Sequence, residues 1–246
     1  MLLTAKTALV TGAANRLGAQ IARTLHQNGA NLIIHYRASS AAAQALVVEL
    51  NQHRENSAIA MGADLSSITE LEELAAKACS AFDGLHILVN NASSFYATKF
   101  GEIEQQAWDN LIASNYHAPL FLSQACYPAL QRSSGCIINM IDIYASRPLD
   151  QHSVYCSAKA ANQMLVKSLA LELAPEVRVN GIAPGAILWP GEDRADSAEQ
   201  QAILDQVPLK RCGTPQAIAD TALFLAMNDY ITGEIIRVDG GRLLTS

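Results

Sequence analysis

The stretch YCSAK sets Tyr155 and Lys159 four residues apart at the start of a helical pattern, which places a phenol and an ammonium side by side on one face. A phenol that exchanges protons near neutrality needs such a neighbour. Free tyrosine titrates near 10, so a shift of about 3 units, roughly 4 kcal/mol, must come from its surroundings. One unit cation at about 4 Å in an effective dielectric of about 20 supplies an energy of that order. Lys159 is therefore a sufficient cause for an acid at Tyr155, although the same spacing also occurs on helices that do no chemistry.

A second group of residues could bind phosphate. TGAANRLG, residues 11–18, follows the strand-like TALV and opens a helix with AQIARTL. The amides and macrodipole of a helix N-terminus favour a diphosphate, and small residues let the backbone approach it. Gly12 and Gly18 suit that role, whereas Arg16 stands where another glycine is expected. A guanidinium there can reach over a diphosphate or a flat ring beside it; the alternative is a solvated loop arginine. The second strand runs into HYRASS, about 20 residues further on, where an NAD site carries an acid for the ribose hydroxyls. His35, Arg37, Ser39 and Ser40 offer positive charge and hydroxyl donors instead. They match a 2′-phosphate and predict NADPH over NADH, with most weight on Arg37 and Ser39, since His35 could simply cap its strand. Asp64, in GADLS, is suited either to an adenine amino group or to capping a helix. NNAS at 90–93 ends a fourth strand, where Asn90 could also serve only to tie strands together.

The elements that must position these groups are legible as alternating patterns. TALV, NLIIHY, AIAMGA, HILVNN, GCIINMI, VRVNGI and EIIRVD read as strands, mostly continuous apolar runs of the kind covered by helices on both faces. Residues 18–28, 39–53, 67–81, 103–131, 153–174, 197–206 and 214–227 read as helices. The expectation is a single-domain, doubly wound (Rossmann) α/β fold over residues 1–246, with a seven-stranded parallel sheet and a substrate loop or lid at about 184–206. A chain of 246 residues that is 50% hydrophobic and 16% charged suits one large core. Its net charge of -6 argues against a nucleic-acid groove. Cys79, Cys126, Cys136, Cys156 and Cys212 lack the paired spacing of a zinc or redox motif and read as free thiols, so no metal is expected. No apolar run reaches membrane-spanning length, and no signal sequence precedes the first strand. A cytoplasmic protein without membrane partners is expected.

Over essentially its whole length the chain resembles the short-chain dehydrogenase/reductase family, through TGAANRLG, DLS, NNAS, Asn115, YCSAK, NGIAPG and the closing VDGG. The resemblance implies that Tyr155 donates a proton, that Lys159 binds the nicotinamide ribose and depresses the tyrosine pKa, that Asn115 holds a relay water, and that the protein is a homotetramer. It also implies cofactor contacts from Gly12, Asn15, Arg16, Leu17 and Gly18, from His35, Tyr36, Arg37 and Ser39, from Asp64, Leu65, Asn91 and Ala92, and from Tyr155, Lys159, Pro184 and Gly185. Two departures stand out. NMID places Asp142 where a motif such as NISS has serine, and a carboxylate beside a phenol raises the phenol's pKa. NASSFY replaces the usual NAG, so that Phe95 could either stack on a flat heterocycle or pack as an ordinary core or lid residue.

Arg16, Ser93, Phe95, Asp142 and HYRAS together are similar to the pteridine reductases within that family. In those enzymes the loop arginine meets cofactor phosphate and pterin, the phenylalanine stacks on the pterin, and the aspartate joins tyrosine and lysine in proton delivery. Ser93, Leu188 and Trp189 complete the expected substrate contacts, with Trp189 alternatively anchoring the lid to the core, and Ile187 and Leu188 stand where related enzymes often have a hydroxyl residue. The implied activity is NADPH-dependent reduction of dihydropterins, dihydrobiopterin-like or dihydrofolate. A general carbonyl reductase acting on a 3-oxoacyl thioester or a quinone, and a non-catalytic NADPH sensor, are the competing readings.

Overall fold

The computed structural model describes residues 2–187 and 198–245. Seven parallel strands, β1 (Thr7–Val10), β2 (Asn31–Tyr36), β3 (Ala58–Gly62), β4 (Ile87–Asn90), β5 (Cys136–Met140), β6 (Arg178–Pro184) and β7 (Ile235–Val238), form one sheet in the order β3-β2-β1-β4-β5-β6-β7. The chain steps outward from β1 to β3, then returns to place β4 on the other flank of β1. This reversal opens a crevice between the carboxyl ends of β1 and β4, where ligands of open α/β sheets collect.

Register explains why the strands read as unbroken apolar runs. Ile33, Leu9, Leu88, Ile137 and Val179 are successive cross-strand partners in one row. All five face the core made with α3 (Ile68–Ser80), α5 (Ala118–Arg132) and α6 (Ser153–Glu172). The next row, Ile34, Val10, Val89 and Ile138, faces the opposite core with α1 (Arg16–Gln27), α2 (Ser40–His53) and α8 (Pro215–Met227). Alternate residues thus serve two cores, and both must be apolar. The third row brings Asn90 opposite Asn139, so two polar residues meet where the apolar rows end.

Local chemistry marks the helix ends. Ser67 Oγ caps α3 by accepting from Glu70 N, and Thr214 Oγ1 caps α8 by accepting from Ala217 N, with Pro215 next in line. Asp64 does not cap α3; its Oδ1 accepts from Ser66 N and Ser66 Oγ at 2.9 and 2.7 Å.

The sequence pattern predicts one helix over 103–131, and the structure divides it. Helix α4 (Gln105–Ile112) passes into a π turn, Ala113–His117, before α5 begins. Pro119 accounts for the break: it has no N–H, and its ring crowds the carbonyl four residues back, that of Asn115. Helix α7 (Ala198–Asp205) lies within the region read as a lid, much of which is outside the described residues. All five cysteines are free. Among the described residues no helix is long and apolar enough to cross a membrane.

Candidate active site

The first half of the site is built of backbone. Thr11 Oγ1 accepts from the amides of Asn91 and Ala92, both at 2.9 Å, and Asn91 Nδ2 donates to Thr11 O at 2.8 Å. These bonds clamp the β1 loop to the end of β4. Gly18 must be glycine for packing: a Cβ there would lie 2.5 Å from Gly12 O and 2.6 Å from Asn91 Nδ2. Gly12 has φ 60°, which glycine adopts without strain. Arg16, the first residue of α1, has φ 52°, a left-handed conformation that costs energy for a side chain of its size. No side chain caps α1, and its first turn holds no acid. A helix N-terminus left in that state, behind a loop of glycine and alanine, fits the diphosphate of a dinucleotide.

Arg37 and Ser39 are exposed beyond β2, and Asn15, Arg16 and Ser93 are exposed in the segments that follow β1 and β4. Tyr36 is half-buried with its ring against Gly62, Leu65 is in the core beneath α3, and Pro184 and Gly185 close β6. The expectation for His35 fails. It is buried, its Nδ1 accepts from Gly12 N at 3.1 Å, and its Nε2 meets Ala63 O at 3.1 Å. Both ring nitrogens are in use, and burial lowers its pKa. His35 is a neutral brace under the glycine loop and not a cation facing phosphate.

The other half is built of side chains. Asp142, two residues beyond β5, caps the short turn Ile143–Ala145 and accepts from Tyr144 N at 2.9 Å, which fixes its carboxyl group. Tyr155, in the first turn of α6, donates its hydroxyl to Asp142 Oδ2 at 2.7 Å. Lys159 donates to Met140 O at 2.8 Å, with its ammonium 5.8 Å from the Tyr155 ring centroid. Phe95 approaches Tyr155 edge-on at 4.8 Å and stacks on His152 at 4.7 Å, an aromatic partner the sequence pattern does not reveal. The residue is 51% exposed, so it is not a core phenylalanine.

Electrostatics here correct a second expectation. Burial raises the Tyr155 pKa, and the Asp142 carboxylate raises it further, so that the phenol is shifted up and not down as Lys159 alone would have it. Burial pushes Lys159 itself down to about 8, against the pull of Asp142. Burial also raises the Asp142 carboxyl pKa, although Tyr144, Tyr155 and Lys159 oppose the rise. Phenol and carboxyl thus both hold protons more firmly than usual.

Asn115 is fully buried in the π turn, its Nδ2 donating to Ser94 O and Leu111 O at 2.9 and 3.0 Å. Asn90 does tie strands: its Nδ2 donates to Asn139 Oδ1 at 2.8 Å. Leu188 and Trp189 lie outside the described residues. Among the described residues no cluster of three metal-ligating side chains occurs.

A parallel sheet with a phosphate-ready loop at its reversal point, and a buried Tyr-Lys pair bonded to the half-buried Asp142 across the crevice, defines a nicotinamide-dependent oxidoreductase of the doubly wound class. The comparisons agree. A family model described as enoyl-(acyl carrier protein) reductase matches residues 12–242. Pteridine reductase 1 of Leishmania tarentolae is 37% identical, with 98% of each chain covered. A 3-oxoacyl-[acyl-carrier-protein] reductase of Staphylococcus aureus is 34% identical over 96% of this chain and 97% of its own. An uncharacterized oxidoreductase, YmfI of Bacillus subtilis, is 33% identical over 96% and 98%. The chain belongs to the short-chain dehydrogenase/reductase family and is an NAD(P)-dependent oxidoreductase.

Proposed function

We propose that this enzyme is an NADPH-dependent pteridine reductase that converts dihydropterins, dihydrobiopterin-like or dihydrofolate, to tetrahydropterins. The observation that carries the reading is the 2.7 Å bond from the Tyr155 hydroxyl to Asp142, whose carboxyl pKa burial raises. Reducing a carbonyl requires one proton at oxygen, and a phenol suffices. Reducing a pterin ring requires a proton at a ring nitrogen; the Tyr155 hydroxyl can give it, and the Asp142 carboxyl hydrogen-bonded to that hydroxyl can share or resupply the proton. Bound NADPH supplies the hydride.

The rest of the crevice supports the same substrate. Arg16 carries its strained backbone in the loop that joins β1 to α1, where a guanidinium can reach both a diphosphate and a flat ring beside it. The exposed Phe95 ring offers a flat surface next to Tyr155. Ser93 is exposed on the same loop. Arg37 and Ser39 select NADPH by meeting the 2′-phosphate. The relative named pteridine reductase 1 is consistent with this reading.

A carbonyl reductase acting on a 3-oxoacyl thioester is the second reading, favoured by the relative of that name. NADPH oxidation measured in parallel with dihydrobiopterin, dihydrofolate and a 3-oxoacyl thioester separates the two, with Asp142→Ser as the control. Pterin turnover that is lost in the variant is expected. Thioester turnover alone, or pterin turnover untouched by Asp142→Ser, overturns the assignment.

A further inference from the structure

The carbonyl that Pro119 crowds does not lie unused. Asn115 O accepts a hydrogen bond from Asn162 Nδ2 at 2.9 Å, between residues 0% and 1% exposed. Asn162 in turn accepts from Asn139 Nδ2 at 2.8 Å through its Oδ1. It stands three residues beyond Lys159 on α6, hence on the same face. Lys159 and Asn162 therefore pin that face to two consecutive residues of β5, Met140 and Asn139. A third bond, to Asn115, pins it to the π turn. No other side chain in the site joins α6, β5 and the π turn at once among the bonds of the described residues.

We propose that Asn162 is a positioning residue for proton transfer: it holds the displaced Asn115 carbonyl and fixes the register of α6, and with it Tyr155 and Lys159, against Asp142. The geometry requires an amide. One end must donate to a carbonyl and the other must accept from an amide, both in a site where an unpaired polar group is costly. A leucine of similar volume meets neither demand. An aspartate keeps the acceptor for Asn139 and regains the donor for Asn115 only when its carboxyl is protonated. The inference rests on the oxidoreductase activity and holds for either substrate.

Three variants test it: Asn162→Leu, Asn162→Asp, and Ser123→Ala. Ser123 sits at the remote end of the same polar chain, accepting from Asn90 Nδ2 at 3.2 Å. Turnover is assayed with dihydrobiopterin, or with the 3-oxoacyl thioester if wild type accepts only that, alongside amide hydrogen exchange. Asn162→Leu is expected to lower kcat by about tenfold to a hundredfold, the scale of a misplaced reacting group, with the KM for NADPH within about threefold of wild type. Exchange should quicken across residues 113–117 and stay unchanged across 16–27. Asn162→Asp should match that loss at pH 8 and recover relative to wild type as the pH falls towards 5.5. Ser123→Ala should lose thermal stability and keep kcat.

Wild-type kcat in Asn162→Leu overturns the inference. So does a fall in both Asn162 variants that tracks the folded fraction, with no change in pH profile. If Asn162→Leu does not fold, Asn162→Asp decides by its pH recovery. If wild type turns over neither substrate, the functional reading fails by itself, and unchanged exchange across 113–117 then overturns the positioning role.

Discussion

The two halves of the crevice use opposite strategies. At the β1 loop and the end of β2, polar groups are open: the α1 N-terminus is uncapped, and Arg16, Arg37 and Ser39 are exposed. Their partners must arrive with the ligand. At β5 and α6, polar groups are buried and pair with one another, from Tyr155 and Asp142 through Lys159 and Met140 to Asn139 and Asn162. On the proposed reading the first half is a socket, whose affinity would come from what it leaves unpaired. The second is prearranged, so that groups taking part in proton transfer need not reorganise when the substrate binds.

The largest effect belongs to the buried half. Tyr155→Phe removes the hydroxyl and leaves the ring that packs on Phe95. The expected loss is about 10²-fold to 10⁴-fold in kcat, the range of a lost general acid, with NADPH binding, followed by its fluorescence, little changed. Retention of more than a tenth of the wild-type rate would mean that another group delivers the proton.

This contrast also explains what the amino-acid sequence reveals. The socket is local: Gly12, Arg16 and Gly18 lie within seven residues, and helix start and strand end are both encoded nearby, so their spacing is readable. The all-parallel sheet is readable for the same reason, since each strand buries both faces. Tyr155 and Lys159 share a helix and are likewise found from spacing. Asn162 escapes because its partners are 23 and 47 positions away, and only folding aligns them. The signal that was available is Pro119, four residues beyond Asn115, which breaks the helical pattern at a polar residue. His35 misled because residue type shows a titratable ring, whereas burial decides its charge. For Lys159 likewise, spacing shows its place beside Tyr155, but the desolvation that pushes it down to about 8 depends on the core around it.

Gly18→Ala probes how closely the socket is packed. The added Cβ would meet Gly12 O at 2.5 Å and Asn91 Nδ2 at 2.6 Å, so the loop or α1 must shift. A loss of about 2 kcal/mol in unfolding free energy is expected, typical of overpacking, together with weaker NADPH binding. Chemical denaturation and a binding titration measure the two. Unchanged affinity with reduced stability would show that α1 shifts without disturbing the amides assigned to the diphosphate.

Arg37→Ala acts on specificity. Its guanidinium is exposed, so losing it should leave stability almost unaltered. The KM for NADPH is expected to rise about tenfold, the effect of roughly 1.4 kcal/mol of lost charge-assisted binding, while the KM for NADH stays the same. Equal changes for both cofactors would place Arg37 away from the 2′-phosphate and remove the main support for NADPH selection. Measuring both at two salt concentrations sharpens the test, because an exposed charge contact weakens as salt rises.

The smallest effect comes from the buried residue in the open half, and its sign can be derived. Burial lowers the His35 pKa in the folded protein. The unfolded chain therefore takes up this proton first, near 6.5, and stability falls as pH drops from there towards the lower folded pKa. Above 6.5 both states are neutral and the contribution is flat. His35→Asn should remove this part of the acid dependence and cost about 1 kcal/mol at pH 7.5 through the lost bond to Gly12 N. NADPH affinity should weaken with it, since that amide braces the phosphate loop. Denaturation midpoints between pH 5 and 8 for wild type and variant provide the measurement. Parallel curves would show that His35 does not control the acid response, while unchanged NADPH affinity would show that the glycine loop keeps its shape without the imidazole beneath it.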